Sequence, residues 1–71
     1  MDKNQIGTNA GIIWHMLSAK NKMTIKELLF ETDLTLVDLA TAIGWLAREN
    51  KINFTEENGK EYCSVFQEFY Y

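Results

Sequence analysis

Lys20, Lys22 and Lys26 stand close together in the stretch "KNKMTIK". Ammonium groups gathered at the start of a helix, where backbone N–H groups also point outward, suit one kind of chemistry: holding phosphate. Thr41, Arg48 and Lys60 could add to such a surface from a later helix and a hairpin. The simpler account of the run is three solvated lysines, since charged runs are usually solvated faces. Reactive chemistry has less to work with. His15 has no cysteine or acid beside it in sequence to complete a catalytic pair, and a solvated histidine accounts for it. Cys63 alternates inward with Val65 and reads as a small core residue, with no basic cluster to activate it. One cysteine and one histidine make no zinc set and no internal disulfide, and no phosphate-binding loop occurs. Neither enzyme activity nor a cofactor or metal is expected.

The 71 residues suffice for one domain, over 1–71. A chain of this size hides only about 60% of its unfolded surface, so self-association is one route to stability. An apolar share of 46% and a charged share of 24% are ordinary for a globular protein. No run approaches the roughly 20 apolar residues of a membrane span, and the polar start "MDKNQ" is unlike a signal peptide, so a cytoplasmic protein with no membrane partner is expected. The formal charge of −3 provides no general attraction to nucleic acid, which leaves only a local patch to supply it.

The elements that must position these groups are legible in the pattern. Ile6, Ala10, Ile13, Trp14 and Leu17 recur at helical spacing, predicting a helix over about 5–18, with Ile12 and Met16 widening its apolar stripe. Two T-x-x-acid boxes follow. Thr24 with Glu27 opens a short helix, about 25–31, and Thr35 with Asp38 opens a longer one, about 36–50. Short helix, brief turn and longer helix make a helix-turn-helix. The last third alternates as strands do, about 51–56 and 61–67, around Asn58-Gly59, the pair favoured in a two-residue type I′ turn. Pairing outward from that turn sets Thr55 opposite Tyr62, Phe54 opposite Cys63 and Ile52 opposite Val65. The expected fold is α+β: a winged helix-turn-helix of three helices and a C-terminal two-stranded β-hairpin wing, with an aromatic tail over 68–71.

The segments "IGTNAGIIWHML" and "AIGWLARENKI", with the hairpin after them, resemble those of small stand-alone bacterial winged helix-turn-helix proteins formerly classed as a domain of unknown function. The resemblance covers nearly the whole chain. It implies a wing from Phe54 to Cys63, a recognition-type helix from Leu36 to Asn50, and a dimer. It implies no settled biochemical activity, and fold alone does not license DNA binding.

On a helical wheel, Leu36, Leu39, Ala40, Ile43, Leu46 and Ala47 share one side of the third helix. Asp38, Thr41, Ala42, Trp45, Arg48 and Glu49 share the other, expected to face outward. That face has few cations for phosphates or base edges, and the wing carries Glu56, Glu57 and Glu61 against Lys60. Trp45 either completes the monomer core beneath the wing or tail, or anchors a contact surface. Gly44 beside it costs about 1 kcal/mol relative to alanine and usually marks a close approach of another backbone, for which the first helix, with Gly7 and Gly11, has room. Tyr62, Phe66, Phe69, Tyr70 and Tyr71 concentrate near the end of the chain. With Ile12, Met16 and Trp45, they are the candidate protein-interface residues, and a homodimer is expected. Two functions follow as expectations. One is a DNA-binding-like regulator module making weak backbone contact through Lys20, Lys22, Lys26, Thr41, Arg48 and Lys60. The other is a protein-interaction or homodimerisation module that has lost DNA binding, with a second copy or another protein as partner.

Overall fold

The computed structural model describes residues 1–66. Within them the chain runs through α1 (Lys3–Lys20), β1 (Lys22–Thr24), α2 (Ile25–Thr32), α3 (Leu36–Arg48), β2 (Ile52–Glu57) and β3 (Lys60–Val65). The class is α+β. The sheet is antiparallel with strand order β1-β3-β2, so it has three strands where a two-stranded hairpin was expected. The additional strand is β1, in which Met23 pairs with Cys63, flanked by Lys22 with Ser64 and Thr24 with Tyr62. Three residues are too few to show a period, and the partner lies some forty residues downstream, so nothing local announces this strand.

Local chemistry sets most of the boundaries. Asp2 caps α1, its Oδ1 accepting from the Gln5 N–H at 2.8 Å. At α2 the capping box is complete. Thr24 Oγ1 accepts from the Glu27 N–H at 3.1 Å, and Glu27 Oε1 accepts from the Thr24 N–H at 2.9 Å. At α3 only half forms: Thr35 Oγ1 accepts from the Asp38 N–H at 3.1 Å, and the aspartate, one methylene shorter than glutamate, makes no return bond among the described residues. The turn between α2 and α3 has no glycine. Asp33 takes the left-handed conformation instead (φ 59°), a role aspartate tolerates, and its N–H closes on the Leu29 carbonyl. Helix α3 stops at Arg48, two residues before Asn50, which turns at φ 56° and leads the chain into β2 at Ile52.

Asn58 and Gly59 both have positive φ (52° and 79°), as a type I′ turn requires, and the register is Thr55 with Tyr62, Phe54 with Cys63 and Ile52 with Val65. Met23, Ile52 and Cys63 close the sheet face of a core that Ile13 and Leu17 of α1, Leu28 of α2 and Leu46 of α3 fill from the other side. Phe54 shares the inward face with its partner Cys63 yet is about half exposed, because it stands on edge strand β2 while buried Cys63 stands on central strand β3.

Candidate functional site

Helix α3 is rotated from the expected orientation. Its buried stripe is Leu39, Ala42, Ile43 and Leu46, at i, i+3, i+4 and i+7. Ala42, expected outside, is 0% exposed, whereas Leu36, expected inside, is 60% exposed, and Ala40 is also exposed. Hydropathy ranks leucine above alanine. Size matters as well: α1 packs along α3, small Ala10 and Ala42 are both buried in the core that the two helices share, and small side chains let two helices close on one another.

The rotation makes the outward arc of α3 largely apolar. Leu36, Val37, Ala40, Gly44 and Trp45 occupy it, with Val37 61% and Trp45 42% exposed. Among the described residues, Arg48 is the one charged side chain on this arc; Asp38 is half-buried at its margin. Thr41 is half-buried and its hydroxyl donates to the Val37 carbonyl at 2.7 Å, so its proton is taken up within the helix. Beyond its chain neighbours and its own helix backbone, neither Gly44 nor Gly11 has an atom within 4 Å of the position a Cβ would take, so α1 is not the close neighbour that Gly44 was expected to accommodate.

The interface candidates disperse. Ile12 is exposed on α1, but Met16 is packed against the core and unavailable as an outer stripe. Tyr62 and Phe66 are half-buried, and the Phe66 N–H donates to the Lys51 carbonyl at 2.9 Å. Trp45 and Trp14 line a shallow cleft of about 250 Å³ with Gly11, His15 and Lys51, where the Trp14 and His15 rings meet edge to face at 5.6 Å. Phe69, Tyr70 and Tyr71 lie outside the described residues.

The basic candidates, by contrast, converge. Lys20 from the end of α1, Lys22 from β1, Lys26 from α2 and Lys60 from the wing line one open hollow of about 780 Å³. Arg48 and Thr41 do not line it. Carboxylates temper the charge. Lys20 is 3.7 Å from Glu31, and Lys22 pairs with Glu57 while lying over the Tyr62 ring. Glu27 also lines the hollow, and its carboxyl is held below the ordinary range, chiefly by its two bonds from Thr24 and then by the fields of Lys60 and Lys20. Cys63 is buried, and that burial pushes its thiol up to about 11, the opposite of an activated nucleophile.

A family model described as "Winged helix-turn-helix domain (DUF2582)" matches residues 1–65. The chain belongs to this family. The solution structure of protein BT2368 from Bacteroides thetaiotaomicron is similar, with 40% sequence identity, a TM-score of 0.79, and coverage of 92% of this chain and 79% of that one. No curated protein matches. In winged helix-turn-helix terms, α3 holds the place of the recognition helix and β2–β3 that of the wing, so the fold is DNA-binding-like. No helix among the described residues is long and apolar enough to cross a membrane. Reasoning from sequence missed Leu36 and Val37 as surface residues, and it missed Phe30, which is 85% exposed on α2. A signal for Phe30 was present: with Leu28 and Leu29 turned inward, the next residue of a short helix must turn out.

Proposed function

We propose that this winged helix-turn-helix domain is a protein-contact module whose α3 meets a second copy of the chain in place of DNA bases. The observation that carries the reading is the apolar arc of Leu36, Val37, Ala40, Gly44 and Trp45 at the recognition position. A base-reading helix presents Arg, Lys, Asn or Gln, and here Arg48 alone is of that kind. Crossing two α3 helices at Ala40 and Gly44 lets their backbones approach closely, with Leu36, Val37 and Trp45 packing around the crossing and Arg48 left at the rim. Light scattering after size exclusion tests this. The expected result is a concentration-dependent dimer that Val37→Glu dissociates without loss of helical signal. A single-chain mass at high micromolar concentration would dispose of the reading.

A second reading keeps the fold's regulatory association: weak, backbone-dominated contact with duplex DNA. It is favoured by the convergence of Lys20, Lys22, Lys26 and Lys60 on one hollow. Titration of a labelled duplex at low salt tests it, with binding expected to fall steeply as salt rises.

A further inference from the structure

The lysine hollow has aromatic walls. Phe30 and Tyr62 line it alongside the four lysines. The two rings differ in availability. The Lys22 ammonium lies 4.8 Å from the centroid of Tyr62, covering one face of that ring. Phe30 is the most exposed of the large hydrophobic side chains among the described residues, and none of those residues stacks on it. The lysines also differ. Lys20 and Lys22 have acidic partners, whereas Lys26 and Lys60 have no carboxylate within ion-pair distance among the described residues. Glu27, the acid nearest α2's start, is turned to Thr24 and serves the cap.

We infer that this hollow binds single-stranded nucleic acid, with phosphates on Lys26 and Lys60 and one base stacked on Phe30. Exposing a bare phenyl ring to water is unfavourable, and a ring that shares one hollow with ammonium groups complements a ligand that is both planar and anionic. Duplex DNA carries the charge but keeps its base faces within the stack, so it has nothing to lay on Phe30. An isolated phosphate has no planar surface and would leave most of a 780 Å³ hollow unfilled. A flexible strand meets both requirements, since every base has a π-face and every linkage a charge. Lys20 and Lys22, already neutralised in part, flank the path and add little. With Glu27, Glu31, Glu57 and Glu61 nearby and a net charge of −3, binding is modest and strongly salt-dependent. The inference shares with the duplex reading the premise that these lysines meet phosphate; it departs from it in requiring an accessible base.

The full chain is titrated by fluorescence anisotropy against three labelled probes at low salt: short oligothymidine, an abasic strand of equal length, and a duplex. Oligothymidine should bind most tightly. Phe30→Ala should weaken that binding roughly fivefold or more, leave the abasic strand unchanged, and be rescued by Phe30→Tyr. Lys26→Gln with Lys60→Gln should weaken all three probes and flatten the salt dependence. Equal affinity for thymidine and abasic strands, or no effect of Phe30→Ala, overturns the stacking claim while leaving phosphate contact in place. Preference for the duplex returns the site to the duplex reading, and absence of saturable binding to any probe removes both. Because Phe30 is exposed, its variants are expected to fold, and circular dichroism of each confirms it before titration.

Discussion

Lys22 reaches across the central strand of the sheet to pair with Glu57, tying edge strand β1 to edge strand β2 over the ring of Tyr62. β1 and β2 share no backbone hydrogen bonds, so this side-chain strap is a direct link between them. It lies on the outer face, away from Met23 and Cys63, and both ends are solvated.

The strap therefore contributes little, and in a salt-dependent way. A double-mutant cycle of Lys22→Gln and Glu57→Gln should show positive coupling at low salt that shrinks in molar salt, each variant lowering Tm by about a few degrees at most. Glu57's hydrogen bond and charge raise the Lys22 pKa, so the contribution is complete below the free-lysine value of 10.5 and fades as pH climbs through the raised one. Thermal melts across salt and alkaline pH measure both.

The capping box at α2 makes an acid-side prediction. Glu27 titrates below its ordinary value of 4.5 because its carboxylate accepts from Thr24. The folded state thus favours the ionised form. This stability is present above pH 4.5 and is lost as pH falls through the lowered pKa. Glu27→Gln should flatten that acid arm in urea titrations. Thr24→Ala should cost about 1 kcal/mol at neutral pH, the usual value of an N-cap.

Two residues of α3 exchange the roles that hydropathy would give them. Leu36→Ala, at a site that is solvent-facing in the monomer, should change stability by less than about 0.5 kcal/mol when measured at concentrations low enough to keep the chain monomeric. Ala42→Leu, in a site with no accessible surface, should cost about 1–3 kcal/mol through overpacking against α1. Chemical denaturation of the pair measures the rotation of the helix directly. Equal effects, or the reverse order, would place the buried stripe where the wheel first put it.

Gly44 gives opposed outcomes in one variant. A Cβ there meets nothing within 4 Å, so Gly44→Ala should stabilise the monomer by about 0.5–1 kcal/mol through helix propensity. If α3 crosses a second α3 at this point, the same methyl group should weaken self-association. Denaturation at low concentration and sedimentation at high concentration separate the two effects. A stabilised monomer with undiminished dimerisation would move the contact away from Gly44.

Features governed by neighbours in the chain were open to reading from the sequence alone. Asn58-Gly59 chooses its turn, the turn chooses the register, and a one-residue slip would reverse every side chain of the hairpin; Thr24 and Glu27 likewise start α2 with bonds spanning three residues. Such interactions need no knowledge of the rest of the fold. β1 exists only because β3 arrives beside it, and Met23 shows no period of its own. The face of α3 that turns inward depends on how closely α1 packs, a matter of side-chain size that Leu36 and Ala42 do not disclose by hydropathy. Lys60 joins Lys20, Lys22 and Lys26, and Phe30 finds itself among them, because a hairpin more than thirty residues away folds back onto the start of α2. Tertiary packing decided which groups share a surface, since that proximity comes from the summed burial of the core and not from any bond between chain neighbours.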